Sequence, residues 1–146
     1  MPLLEKRPVD LIVGGAGGQV PFFQMSLAQR ALIEQVKVYC HDRIRKEPRA
    51  HLILYIDGVQ RGRLDVKQAG SVLVYQPVVH GQILRFRSVH EADFRGDDET
   101  YIYWIEVWGI WAANALPEGA IPVANYKPFA ETDATQIQED TASRNA

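Results

Sequence analysis

The sequence predicts an all-β protein, an antiparallel β-sandwich with an extended C-terminal arm. The densest run of aromatic and β-branched residues is Thr100–Gly109, and such residues suit a pleated, well-covered surface. The dipeptide Asp57-Gly58 lies between two alternating segments and favours a hairpin, because type I′ turns need positive φ. Several short strand patterns are separated by closely spaced turn residues, which is typical of a sandwich.

Thr100–Gly109 is predicted to be a central strand that is covered on both faces. Strict alternation along a strand places Tyr101 and Tyr103 on one side of the sheet and Trp104 and Trp108 on the other. Glu106 is the one acid among these apolar residues. A carboxylate in such surroundings needs a hydrogen-bonding partner or access to solvent.

The N-terminal region contains one short strand pattern followed by glycines. Residues 1–8 are predicted to be an extended lead-in, and Val9–Val13 to be a strand. The glycine-rich turn Gly14–Gly18 does not match a dinucleotide-binding loop, because Val20 occupies the position of the third glycine.

Two interpretations compete for residues 26–40. Ser26 with Gln29 matches a helix capping box, whereas the alternation that ends at Cys40 matches a strand. We favour two strands joined at Ala28–Ala31. Cys40 is predicted to pack in the core.

Composition excludes several classes of protein. The 146 residues are enough for one domain, with 47% hydrophobic and 23% charged residues. The net charge of −2 offers no basic field for nucleic acid, and no apolar run is long enough for a membrane span. Cys40 is the only cysteine, so no intrachain disulfide can form. The N-terminus lacks the apolar core of a signal peptide, so a location inside the producing cell or release by lysis is expected.

The C-terminal third is predicted to mediate assembly. The expected organisation is a sandwich over 1–109, an extended arm over 110–129 and a flexible polar tail over 130–146. The arm contains three prolines with apolar residues between them, which suits a segment laid across a neighbouring subunit in a homo-oligomer. The predicted interface residues are Trp108, Trp111, Leu116 and Tyr126.

Four motifs occur in the order found in one known superfamily. They are Phe23–Leu27, Ile33–Tyr39, Leu54–Gly58 and Ile105–Gly109. In this order they resemble galactose-binding-like jelly rolls, which include discoidin domains, coagulation factor 5/8 type C domains and carbohydrate-binding modules. The likeness covers about residues 20–109, and it implies a jelly-roll sandwich that recognises a glycan.

The resemblance also bears on metal binding. Glu106 matches the acid in the closing strand that supports a structural calcium in many members. The early Asp-Gly loop that helps to bind this calcium is replaced here by Gly14–Gly18, so the calcium lacks part of its expected ligand set. No other cofactor is predicted.

The segment His90–Glu99 is the predicted ligand site. It joins the last two predicted strands and carries an aromatic residue among charged ones. Sugars are bound by an aromatic ring under their C–H face together with hydrogen-bonding side chains. The alternative is that this aromatic residue, Phe94, folds back and plugs the end of the sandwich. The predicted ligand-binding residues are His90, Asp93, Phe94 and Arg95.

No catalytic pattern stands out, so an enzyme is not expected. The four histidines lack metal-ligand spacing, and no Gly-x-Ser-x-Gly nucleophile elbow occurs. The sequence therefore predicts a non-catalytic carbohydrate-recognition module. The alternative is a structural assembly subunit, for example of a virion or filament, whose C-terminal arm contacts its neighbours.

Overall fold

A computed structural model describes residues 1–14, 18–42, 50–66, 70–90 and 99–114. Met1–Ala113 forms one compact unit. Its described residues form seven β-strands, and one turn of 3-10 helix follows at Ala112–Asn114. The strands are β1 (Leu3–Val13), β2 (Phe23–Asp42), β3 (Ala50–Ile56), β4 (Val59–Asp65), β5 (Ser71–Tyr75), β6 (Val79–His90) and β7 (Thr100–Trp111).

The predicted all-β antiparallel sandwich is confirmed. Every ladder between named strands is antiparallel, and the hydrogen-bonded order is β1-β7-β2-β6-β3-β4, with β5 also paired to β2. Among the residues described, no helix is long and apolar enough to cross a membrane.

Strand β2 belongs to both layers of the sandwich. Its first half pairs with β6, and its second half lies between β7 and β5. The register with β6 shifts between Ser26 and Ala31, where three consecutive exposed residues, Ala28–Arg30, interrupt the alternation of burial. The first layer is therefore β1-β7-β2-β5, and the second is β2-β6-β3-β4. The prediction of two strands joined at Ala28–Ala31 is therefore wrong, because β2 runs as one continuous strand with a bend there, and the alternative helix is not formed either.

Buried side chains from both layers form one hydrophobic core. Phe86 of β6 is the largest fully buried side chain among the described residues. Cys40 is 1% exposed, which confirms its predicted role in packing. On one side of the sandwich, Tyr75 of β5 donates a hydrogen bond to the Leu52 carbonyl oxygen of β3 at 2.7 Å. A Cβ at Gly62 of β4 would lie 2.6 Å from the Tyr75 ring, so only glycine fits there.

A second hydrogen bond between the two layers connects β6 with β7. The hydroxyl oxygens of Ser88 in β6 and Thr100 in β7 are 2.8 Å apart, and both side chains are buried. Each hydroxyl thereby gains the partner that a buried polar group requires. This hydrogen bond lies where β6 ends and β7 begins, at the base of the predicted ligand-binding segment.

The predicted hairpin at Asp57-Gly58 is confirmed. Both residues have positive φ, 50° for Asp57 and 83° for Gly58, between β3 and β4. The Asp57 carboxylate also accepts hydrogen bonds from the backbone N–H groups of Gln82 and Ile83, at 3.3 and 3.0 Å. The turn therefore closes the β3–β4 hairpin and is also hydrogen-bonded to β6.

Both terminal strands are longer than the sequence patterns indicate. β1 begins at Leu3, within the residues 1–8 that the sequence predicts to be a lead-in. β7 continues through Trp111, two residues beyond the predicted end of the sandwich. The half-buried Trp111 side chain packs against the core of its own chain. The edge strand β1 also carries a partly buried ion pair between Glu5 and Arg7, a feature that discourages pairing with another sheet.

Replacement of Tyr75 by phenylalanine is expected to lower the free energy of unfolding by about 1 kcal/mol at neutral pH, because a buried hydrogen bond is lost. Burial, followed by a smaller effect of Cys40, raises the pKa of Tyr75 well above its ordinary value. The neutral phenol therefore stabilises the fold fully below about pH 10, and this contribution is lost as the pH rises further.

The difference in free energy of unfolding between wild type and Tyr75→Phe should therefore become smaller above about pH 10. Urea unfolding at neutral and alkaline pH measures this difference. Tyr55→Phe, at a half-exposed position on the opposite layer, is the control. An unchanged difference between Tyr75→Phe and wild type at both pH values would contradict the stabilising role of the neutral Tyr75 phenol.

Candidate functional site

The outer surface of the first layer is rich in aromatic side chains. They project from β7 and from the second half of β2, and each is half-buried or exposed although the inward residues of the same strands are buried. Ring contacts connect several of them across the two strands. This surface is called the aromatic face, and its members are Tyr39, His41, Tyr101, Tyr103, Trp104 and Trp108.

A β-bulge in β7 places two consecutive aromatic residues on this face. Tyr39 pairs with Trp104, whereas the next residue, Cys40, pairs with Ile102. Tyr103 is therefore the extra residue of the bulge. Ile102 and Ile105 remain fully buried, while Tyr103 is 39% exposed and Trp104 is half-buried. Without the bulge, alternation would have turned one of the two aromatic side chains into the core.

A second bulge in β1 lies directly opposite the first. Pro8 pairs with Trp104, but Leu11 pairs with Ile102, so β1 contains one extra residue between these pairs. Asp10 in this bulge has a φ of 50°, a left-handed conformation that asparagine and aspartate tolerate better than most residues. Bulges and such backbone conformations are concentrated near functional sites.

The two bulges border a shallow recess on the outer surface. It has a volume of about 450 Å³, within the range of about 300–1,000 Å³ found for small-molecule sites. Tyr103 and Trp104 supply aromatic rings, and Pro8 adds an apolar ring. Lys6 and Asp10 supply one positive and one negative charge. The β1–β7 recess is thus lined by Lys6, Pro8, Asp10, Tyr103 and Trp104.

Trp104 is held in place by neighbours on adjacent strands. Tyr39 of β2 stacks on it with 4.3 Å between ring centroids, and Lys6 Nζ of β1 lies 4.8 Å from the ring centroid. Further along the face, Lys37 Nζ lies 5.4 Å from the Trp108 ring centroid. An ammonium group over an indole ring is stabilised by the negative potential of the ring face. These contacts order the indole rings before any ligand arrives.

Glu106 connects the two indoles. Its two carboxylate oxygens accept hydrogen bonds from Trp104 Nε1 at 3.3 Å and from Trp108 Nε1 at 3.2 Å. In the sheet register, Glu106 also lies between Lys6 of β1 and Lys37 of β2. The Glu106 carboxylate therefore has two hydrogen-bonding partners, as predicted, and the positively charged Lys6 and Lys37 lie on either side of it in the register.

A hydrogen-bonded cluster adjoins the recess. His41 Nδ1 lies 2.8 Å from the Tyr103 hydroxyl, and the Tyr101 hydroxyl donates a long, 3.5 Å hydrogen bond to Asp10. Desolvation, followed by the negative charge of Asp10 and this hydrogen bond, raises the pKa of Tyr101. Its phenol therefore remains protonated and acts as a donor at neutral pH. The recess is therefore bordered by polar groups that are hydrogen-bonded to one another.

The structure describes only part of the predicted site. His90 is the last residue of β6, opposite Ala50 of β3, and its side chain is not described. Glu106 and Trp108 belong to the aromatic face, and Trp111 packs on the core. No group of three or more metal-ligating side chains occurs among the residues described, and calcium binding at Glu106 stays a prediction. The predicted site residues outside the described ranges are Asp93, Phe94, Arg95, Leu116 and Tyr126.

The convergence of the aromatic residues is not apparent from the sequence patterns. Strict alternation places Tyr103 and Trp104 on opposite faces, whereas the bulge puts both on the same one. Lys6 and Pro8 fall in the predicted lead-in, although they are part of β1. The available signal was the pair of large aromatic residues at positions 103 and 104. Regular alternation would turn one of them into the core, and a bulge keeps both outside it.

Comparison with known proteins identifies no family. No protein-family model matches the chain, and no curated protein sequence does. The crystal structure of the Agl-KA catalytic domain is similar at a TM-score of 0.38, with 14% identity over 80% of this chain. The chain spans only 23% of that structure. A similarity of this extent supports no conclusion about activity.

Replacement of Glu106 by alanine should lower the free energy of unfolding by about 1–3 kcal/mol, because two indole N–H groups lose a charged acceptor. The tryptophan emission spectrum should change as well, since both indoles change environment. Asp65→Ala, at an exposed acid on β4, is a control that should stay within about 0.5 kcal/mol of wild type. Equal unfolding midpoints and emission spectra for both variants would contradict the connecting role of Glu106.

Proposed function

We propose that this protein binds carbohydrate in the β1–β7 recess and does not catalyse a reaction on it. The observation that carries the proposal is the combination of ordered rings and charged side chains around one open depression. A sugar ring has an apolar C–H face surrounded by hydroxyl donors and acceptors. A site for it needs flat apolar surface and polar groups at its border.

Tyr103 is assigned the principal stacking role. It is the most exposed ring of the aromatic face, and its hydroxyl is hydrogen-bonded to His41, which restrains the ring. Trp104 and Pro8 extend the apolar surface, while Lys6 donates to sugar hydroxyls and Asp10 accepts from them. Because these side chains already have neighbours in the free protein, little ordering entropy is lost on binding.

The open shape of the recess favours an extended glycan chain over an enclosed single sugar. The recess lies on the surface of a sheet, and the aromatic face continues from it across β7 to β2. Neighbouring sugar units can therefore contact further rings along the face. A shallow site of this kind should bind weakly, with a Kd on the order of 0.1–1 mM, because little area is buried and hydroxyls must be desolvated.

The predicted residues His90, Asp93, Phe94 and Arg95 remain a second proposed location for the same function. His90 is the last residue of β6, and the other three belong to the segment that joins β6 to β7. The two locations can be separated because each has an aromatic residue that can be removed independently.

Replacement of Tyr103 by alanine should abolish binding in a glycan array and in titration calorimetry with the best glycan. The thermal unfolding midpoint should change little because the side chain is 39% exposed and lies outside the hydrophobic core. Tyr55→Ala, on the outer surface of the opposite layer, is the matched control and should bind like wild type. Loss of binding in Phe94→Ala with normal binding in Tyr103→Ala would assign the site to the other location. An array without any hit for wild type would contradict the function itself.

A structural assembly subunit is the second candidate function. The observation that favours it is the exposure of Val72 and Val74 on β5, 46% and 42%, beside the aromatic face in the same layer. A contiguous apolar surface of this kind is typical of contacts between proteins.

If subunits associate through this surface, the double substitution Val72→Lys with Val74→Lys should convert an oligomer into a monomer in light scattering. Where both subunits use this same surface, the introduced lysines of one subunit face those of the other and repel them. The control is Ile83→Lys on the opposite layer, where an exposed apolar residue receives the same change. A wild-type protein that is monomeric at tens of micromolar would contradict the assembly function.

A further inference from the structure

The outer surface of the second layer carries a group of exposed arginines. Two come from β4 and two from β6, so residues about 25 positions apart in the chain meet on one sheet surface. This surface is called the arginine face, and its members are Arg61, Arg63, Arg85 and Arg87.

The register brings the arginines to opposite sides of β3. Ile53 of β3 pairs with Arg87 on one side and with Arg63 on the other. Ile53 is only 4% exposed although it lies on the outer surface, as expected where arginine stems cover an apolar residue. Arg85 and Arg87 are two residues apart on one strand, so their side chains leave the same face of the sheet from Cα positions about 6.8 Å apart along it.

The positive charge of this surface has no ion-pairing partner within the part of the chain that the structure describes. The ion pairs among the described residues are Glu5 with Arg7 and Arg30 with Asp57, so none of the four arginines is ion-paired there. The exposed acid on the same strands is Asp65, at the end of β4. The net charge of −2 for the whole chain therefore conceals a basic surface.

Aromatic rings lie among these arginines. The Arg85 guanidinium carbon lies 4.1 Å from the centroid of the exposed Phe22 ring, and Arg85 Nε donates to Gln24 Oε1 at 3.0 Å. Tyr55 is the cross-strand neighbour of Arg85. These rings and Arg85 line a second open depression, of about 470 Å³, together with Ile83 and Arg87.

We propose that the arginine face binds single-stranded nucleic acid. Guanidinium groups pair with phosphates through parallel hydrogen bonds, and exposed rings stack on bases whatever their sequence. Both elements are present in one depression, with Arg85 and Arg87 as phosphate ligands and Tyr55 as the stacking surface, while the Phe22 ring packs against the Arg85 guanidinium. This activity is separate from the proposed carbohydrate site, which lies on the opposite layer.

The chemistry of the surface favours this ligand over other polyanions. A sulfated polysaccharide also satisfies the arginines, but it offers Tyr55 only the C–H faces of its sugars. A base offers a flat π-system whose stacking contributes about 1–3 kcal/mol per base. In a duplex the bases are stacked on each other and cannot reach rings on a sheet surface. A single strand presents its phosphates and its bases at the same time, so it uses both features of the depression.

The test is fluorescence anisotropy of a labelled oligothymidylate of about 12 nucleotides, measured with the full-length protein at several salt concentrations. The double variant Arg85→Gln with Arg87→Gln should bind at least about tenfold more weakly, and the slope of log K against log salt should become shallower by about 1.4. Tyr55→Leu should weaken binding about tenfold without changing that slope.

The matched control is Lys6→Gln with Lys37→Gln, which removes the same charge from the opposite layer. It should bind the oligonucleotide like wild type, and circular dichroism should show all variants folded. The proposal is overturned if wild type gives no anisotropy change at low salt, or if the two double variants lose the same affinity. It is also overturned if heparin or the duplex binds more tightly than the single strand.

Discussion

The structure depends on one strand that serves two layers. Strand β2 is hydrogen-bonded to β6 before its bend and to β7 and β5 after it. The inward side chains of both halves enter the same core. The positions of the strands paired with it therefore follow from the bend at Ala28–Arg30. Because each layer is covered inside by the other, the outward side chains of the described strands lie on one of two opposite surfaces.

These two surfaces differ in how their charges are arranged. On the aromatic face, Lys6 and Lys37 lie over indole rings and flank Glu106, which itself accepts both indole N–H groups. The charges there interact with the rings and with each other inside the protein, which suits recognition of a neutral polar ligand. On the arginine face, positive charge has no ion-pairing partner among the described residues, which suits recognition of an anion. The two proposed sites of this sandwich therefore differ in chemistry.

The irregularities of the first layer are as important as its regular pairing. Adjacent bulges in β1 and β7 meet at Trp104. One bulge turns Tyr103 outward next to it, and the other introduces the left-handed Asp10. Regular strands at these positions would have produced a flat surface with alternate residues buried. The recess is a consequence of two local departures from the alternation that governs the rest of the sheet.

The sequence alone determined the local features of this protein. Alternation and turn chemistry predicted the all-β sandwich, the hairpin at Asp57-Gly58 and the burial of Cys40, because these depend on neighbouring residues. The isolation of Glu106 among apolar residues likewise predicted that it needs partners. Only the tertiary structure decided that Tyr103 and Trp104 share a face, that Lys6 lies over an indole and that Arg63 and Arg87 flank Ile53. Bulges and strand register arise from pairing between segments distant in the chain, and a one-residue shift moves a side chain to the opposite surface.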